Sequence, residues 1–319
     1  MTEKPENSLL LVYNTCGISG RDNAEYYFSA MKTILREKLP GAKIVVSSCM
    51  NSKAVQQRLV DEFLNLGVSF NFIEEKLPVN VTFNHTVLES VRRFGRFEGY
   101  MYIDSGISIN EGTLPEIYAR IKTGKYAMIA AETDTDTGYH SWFGTHSLPG
   151  SDIDFCVPIG KTINLHAQIF TDELFEAYGQ RIIPDIFAGH CTESVFSFMC
   201  AAIKRKFCVC RGNIVQHLPN MDGGSSGFKP DGVETWDHVF RSPRTMAQII
   251  QDPDAKACGF GYEECRQIML HDPEQFDSDL FCKNDRLKEF IKTNLFLPNE
   301  LMNYGDVKHS FIVGEIRAN

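Results

Sequence analysis

The stretch SLLLVYNTCGISGRDNAEYYFSAMKTILREKLPGAKIVVS, residues 8–47, decides the reading of the fold. It opens on a short apolar run, Ser8 to Tyr13, with no polar alternation, and passes into the turn-rich GISGRD. From Asn23 to about Glu37 the pairs Tyr26/Tyr27, Ala30/Met31 and Ile34/Leu35 recur at helical spacing, and Pro40-Gly41 stops the pattern. Ala42 to Ser47 is a second apolar run. Strand, helix, strand is the expected order. Working outward, Ala54 to Leu66 reads as a second amphipathic helix closed by Gly67. Val68 to Ile73 reads as a third strand, Thr86 to Phe94 as a third helix, and Tyr100 to Ile103 as a fourth strand. Strands that are apolar on both faces and alternate with helices predict a parallel sheet covered on both sides, with right-handed crossovers.

Beyond residue 110 the pattern loosens. Leu114–Ile121 has helical spacing and Lys125–Ala131 reads as a strand, followed by the polar loop ETDTDTGYHSWFG. Thr162–Phe170 reads as extended, Asp172–Tyr178 as a short helix, Glu193–Lys204 as an amphipathic helix and Lys206–Cys210 as a strand. Residues 1–230 are therefore expected to form one α/β unit, Rossmann-like, with a mostly parallel sheet flanked by helices. Residues 231–319, broken by Asp-Pro at 252–253 and 272–273, are expected to form a mainly helical C-terminal extension.

The whole chain supports a globular protein. Its 319 residues, 43% of them apolar, are enough to build a core without cross-links. The 41 acidic against 32 basic side chains leave a net charge of −9, which disfavours nucleic acid and anionic membrane surfaces as partners. No run approaches the roughly 20 apolar residues of a membrane span, and the polar MTEKPENS is unlike a signal peptide, so a cytoplasmic chain is expected. Ten cysteines without CxxC spacing read as reduced, mostly buried thiols.

Ligands of an open parallel sheet bind beyond the carboxyl ends of its strands. The polar residues there are Asn14-Thr15, Ser47-Ser48-Cys49, Glu74-Glu75 and Asp104-Ser105. Asp104, set directly against YMYI, is the leading candidate; its bland alternative is a loop-ordering or helix-capping acid. Asp134 and Asp136 form a rival acid pair in a segment with ordinary turn chemistry. Glu193 follows Thr192, a reasonable helix cap, so its bland reading is an acid complementing the helix dipole. His217 precedes a Gly/Ser-rich loop whose backbone N–H groups suit phosphates. The remaining histidines, 85 and 309 among them, show no ligand spacing.

In order along the chain, these segments resemble the inverting, nucleotide-sugar-dependent glycosyltransferases of the GT-A fold, of the family-2 type. The resemblance rests on LLLVYNTCGISGRDNAEYYFSAMKTILRE (9–37), VNVTFNHTVLESVRRFGRFEGYMYIDSGISI (79–109), AQIFTDELFEAYGQRIIPD (167–185), GHCTESVFSFMCAAIKRKFCVC (189–210) and VQHLPNMDGGSSGF (215–228). It implies a nucleotide-diphosphate sugar donor, a glycan acceptor and a divalent cation, Mn²⁺ or Mg²⁺. Glu193 would be the general base, and Asp104 and His217 would contact the metal. Asn14, Thr15, Ser48, Asn84, Asp104 and Ser105 would line the nucleotide-sugar pocket, with Trp142 and Asp134 on the acceptor side. Such residue types suit the reaction, since a departing diphosphate needs a cation and a hydroxyl nucleophile needs a carboxylate base.

Two departures stand against the family pattern. Its Asp-x-Asp motif reads Asp104-Ser105-Gly106, so the second acid is missing, and Arg21, Lys161 or Lys229 are alternative partners for the diphosphate. SSCMNS lacks the acid that often reads the base edge. The missing acid keeps open a catalytically lapsed domain that binds a sugar nucleotide or glycan; a nucleotidyltransferase, which uses a similar nucleotide-binding sheet, is the other alternative, though CGISGRD matches its usual first loop poorly.

Overall fold

The computed structural model describes residues 5–16, 21–37, 39–75, 77, 79–133, 138–141, 144–147, 155–157, 166–183, 196–217 and 306–316. In chain order the elements are β1 (Asn7–Cys16), α1 (Arg21–Arg36), β2 (Lys43–Cys49), α2 (Lys53–Phe63), β3 (Val68–Ile73), α3 (Val79–Phe94) and β4 (Phe97–Ile103). They continue with β5 (Ile107–Ser108), α4 (Thr113–Ile121), β6 (Tyr126–Thr133), β7 (Gly138–Ser141), β8 (Gly144–Ser147) and β9 (Phe155–Cys156). The last are β10 (Ala167–Thr171), α5 (Asp172–Ala177), α6 (Phe196–Ala202), β11 (Lys206–His217) and β12 (His309–Ile312).

Each apolar run of the first hundred residues forms a strand, because each is buried on both faces. In β1, Leu10 and Val12 join a core with α3, α5 and α6, while Leu9, Leu11 and Tyr13 join one with α1, α2 and α4. The sheet order is β12-β3-β2-β1-β4-β10-β6-β11-β5, with β9 paired to β11, while β7 and β8 form a separate hairpin. Neighbours β3-β2, β2-β1, β1-β4 and β6-β11 are parallel; β10 runs antiparallel between β4 and β6, and β12 antiparallel along β3. The sheet is thus mostly parallel and flanked by helices, as expected. At Gly99 in β4 an added Cβ would come within 2.8–2.9 Å of side-chain carbons of Ile121, Ile169 and Leu9, so the layer carrying α1, α2 and α4 closes on the bare backbone.

Four elements differ from the sequence expectation, the first being β7, which forms inside the expected polar loop 132–144. α3 begins at Val79, a turn and more before Thr86, although its first turns carry Asn80, Val81 and Thr82. Every residue from Asn80 to Val87 is buried there, and tertiary burial overrides their weak helix propensity. β11 runs on past Cys210 to His217, absorbing the turn-like Arg211-Gly212-Asn213 in a register shift between Cys210 and Val215. Within the segment expected to be a helical extension, residues 309–312 are a strand docked on the far edge of the main sheet. The rest of 231–305 lies outside the described residues. No helix among the described residues is long and apolar enough to cross a membrane.

Candidate active site at the strand ends

Chain order reverses at β1: β2 lies on one side of it and β4 on the other. That reversal opens a crevice at the carboxyl ends of β1 and β4, the place where open α/β sheets bind ligands. Its floor consists of Asn14 to Cys16 and Asp104 to Gly106. β10 enters beside it, with the Asp104 N–H donating to the His166 carbonyl at 2.8 Å.

Asp104 is only partly exposed. Its Oδ1 accepts from the Ser105 N–H at 2.9 Å and from the Tyr102 hydroxyl at 3.3 Å, while Oδ2 has no donor among the described residues. Burial outweighs both hydrogen bonds and lifts the carboxyl pKa from 3.8 to about 6. Its turn is shaped by Gly106, whose φ of 83° lies in the left-handed region. Tyr13, buried beneath, accepts from the Gly106 N–H at 3.2 Å and donates to the Tyr27 carbonyl at 3.2 Å, which ties the turn to α1. Burial, helped by the nearby Asp104 charge, pushes the Tyr13 phenol well above its usual value, so it stays a neutral brace. Gly106 therefore serves the turn.

Asn14 is 5% exposed. Its amide nitrogen donates to the Val12 and Ile103 carbonyls, bridging β1 to β4, and its Oδ1 is buried with no hydrogen-bond partner. A buried acceptor left unpaired at the crevice calls for a donor from a ligand. Thr15 and Ser48 are nearly fully buried and are knitted together by Asn51, whose amide donates to both hydroxyls at 2.8 Å; Thr15 also donates to the Ser47 carbonyl. Cys16 and Cys49 face each other in register across β1 and β2. The hydrogen bond from Cys16, against the opposing effect of burial, holds the Cys49 thiol below its usual range.

Of the other sequence candidates, Ser105 lines the turn at 8% exposure, and the pairing of His217 with Ile107 brings the end of β11 beside Asp104-Ser105-Gly106. Asn84 is 1% exposed and occupied with backbone: Oδ1 accepts from the N–H groups of Ile182 and Ile183, and Nδ2 donates to the Ile183 carbonyl. Burial of Asn80 and Asn84 inside α3 also rules out their sequons as accessible acceptors. Glu193, Asp134 and Trp142 lie outside the described residues, as does the His217 side chain. Tyr13, Tyr102 and Asn51 were not among the sequence candidates. The only signal for them was their place within three residues of the strand ends.

No family model matches the sequence, and no curated protein does either. Solved structures do. A crystal structure of residues 1–349 of S. aureus TarS aligns over 89% of this chain and 90% of its own, at 12% identity and a TM-score of 0.51. GalNAc-T7 with UDP, GalNAc and Mn²⁺ aligns over 90% of this chain and 59% of its own, at 12% identity and a TM-score of 0.57. The mannosyltransferase PcManGT from Pyrobaculum calidifontis, in complex with GDP-Man and Mn²⁺, aligns over 95% and 80%, at 12% identity and a TM-score of 0.52. The chain has the GT-A fold.

Proposed function

We propose that the chain transfers a sugar from a nucleotide-diphosphate donor to a hydroxyl of a glycan acceptor, with inversion at the anomeric carbon. The observation that carries this reading is the pair of groups at the crevice of a GT-A sheet: a half-satisfied Asp104 carboxylate and the unpaired buried acceptor of Asn14.

Asp104 fits a hard divalent cation, since Ser105 and Tyr102 hold Oδ1 and leave Oδ2 without a donor among the described residues. When bound, Mn²⁺ or Mg²⁺ would neutralise the diphosphate as it departs. His217, brought alongside by the β11–β5 pairing, is the second ligand of this reading. Asn14 Oδ1 accepts a donor N–H or O–H from the nucleoside, and Ser105 closes the same wall. Thr15, Ser48 and Asn84 shape the pocket through the backbone they hold. Glu193 takes the acceptor proton as the acceptor oxygen bonds to the anomeric carbon, whose bond to the diphosphate oxygen breaks; the nucleoside diphosphate leaves with that electron pair. Asp134 and Trp142 are proposed to face the acceptor.

The single carboxylate of Asp104-Ser105-Gly106 favours a second reading, a domain that binds a sugar nucleotide without turnover. One experiment separates them. Nucleotide sugars are screened by thermal shift with and without Mn²⁺, and release of free nucleoside diphosphate is followed with and without glycan acceptors. Under the transferase reading, release is Mn²⁺-dependent, Asp104→Asn loses donor binding, and Glu193→Gln keeps binding while transfer falls by orders of magnitude. Saturable binding without any release establishes the binding module, and unchanged transfer by Glu193→Gln removes that residue from the mechanism.

A further inference from the structure

A second polar cluster lies at the far edge of the sheet, where β12 is four strand spacings, or about 19 Å, from β4, the strand that ends beside Asp104. His85 and Glu89 are one helical turn apart on α3, and His309 arrives from β12 at the other end of the sequence. One ligand atom from each lies within 4.8 Å of the others. We infer that His85, Glu89 and His309 form a binding site for a transition-metal cation of the zinc class, which clasps the C-terminal strand to the sheet.

Three observations support it. First, His309 Nε2 stands 3.4 Å from Glu89 Oε2, within the roughly 3.3–3.6 Å edge of a tetrahedron with metal–ligand distances of about 2.0–2.2 Å. Second, His309 Nδ1 donates to the Val307 carbonyl at 2.9 Å, which leaves Nε2 with its lone pair directed to the cluster. Third, His85 is 1% exposed and its Nε2 is buried with no hydrogen-bond partner, an orphan that a metal would satisfy. Its Nδ1 lies 3.1 Å from the Asn71 amide, whose own Oδ1 is also unpaired. Turning that amide end for end lets the oxygen accept from Nδ1–H and makes Nε2 the ligand atom.

The arginines are the competing partners. Arg92 pairs with Oε1 and Arg93 with Oε2. Arg92 is 63% exposed and free to withdraw, while Arg93 is stacked over Phe311 at 4.3 Å and occupies one side of Oε2, leaving the side towards His309. Three protein ligands and one water complete a tetrahedral site.

The test uses the full chain, stripped with chelator and then titrated with ZnCl₂ or CoCl₂, in wild type, Asp104→Asn, His309→Ala and Glu89→Gln. Zinc is expected to bind stoichiometrically and raise the melting temperature in wild type and Asp104→Asn. In His309→Ala, whose side chain is partly exposed, the melting shift should vanish and affinity should fall about a hundredfold or more. Cobalt should give the visible bands of a tetrahedral site with nitrogen and oxygen ligands. The inference is overturned by the absence of a melting shift in wild type, by equal zinc binding in His309→Ala, or by a thiolate-to-cobalt charge-transfer band, which would assign the ion to cysteine.

Discussion

Asp104 and His85 place two titrations of opposite sign in the same pH range. The Asp104 carboxyl moves from 3.8 to about 6 on folding, so the folded chain holds that proton more tightly. The stability it contributes is complete below pH 3.8 and lost as pH rises through 6, a cost of about 3 kcal/mol for two units at about 1.4 each. In chelator, Asp104→Asn should be more stable than wild type at neutral pH by up to about 3 kcal/mol, with the advantage gone below about pH 4. Urea unfolding at several pH values measures this, and equal stability at neutral pH would refute it. His85 falls from 6.5 to about 4, so its contribution is complete above 6.5 and lost as pH falls through 4. The two slopes oppose each other between, and Asp104→Asn should unmask a stability that rises with pH. Gly106 yields a second prediction. Aspartate tolerates the left-handed region at a cost of about 1–2 kcal/mol. Gly106→Asp should therefore lower stability by about that much and, if Asp104 holds the cation, tighten Mn²⁺ binding, read by titration calorimetry; unchanged Mn²⁺ affinity would count against a metal at this turn.

At the scale of an element, β12 is the informative case. It covers the outer edge of β3, a position that otherwise presents unpaired backbone groups to other chains. Beyond the ladder, the Glu74 N–H donates to the Lys308 carbonyl at 3.0 Å and the Gly314 N–H to the Ser69 hydroxyl at 3.1 Å, and Leu66 bridges to Ile316. A Cβ at Gly314 would stand 2.1 Å from the Val68 carbonyl oxygen, a contact with backbone that no side-chain adjustment relieves. Gly314→Ala should undock this strand at a cost of about 1–3 kcal/mol. Hydrogen exchange checks it: β3 and β12 amides should lose protection while β1 and β4 keep theirs. Uniform protection would mean the segment shifts to accommodate the methyl.

At the scale of the molecule, the proposed function asks a chain of net charge −9 to receive an anionic nucleotide, which requires local cation chemistry at the crevice. A donor at about a hundred times its Kd should add about 2.7 kcal/mol of stability by mass action. That gain should require Mn²⁺ in wild type and be absent in Asp104→Asn, as a thermal-shift titration would read. A gain independent of Mn²⁺ would transfer the diphosphate to side-chain cations.

Local periodicity determined the elements of the first hundred residues. The apolar runs ending at Tyr13, Ser47, Ile73 and Ile103 became strands because burial on both faces writes itself into consecutive residues. The polar residue after each run marked the crevice, so Asn14, Ser48 and Asp104 were visible as candidates. Partnership across the chain was not. That β10 runs antiparallel between β4 and β6, that His217 pairs beside Asp104, and that His309 closes on His85 and Glu89 depend on which strand ends lie next to each other. Hydrogen bonding between backbones is blind to side-chain identity, so such pairings are selected by the packing of the whole chain and leave no mark on the spacing of residues within any one segment.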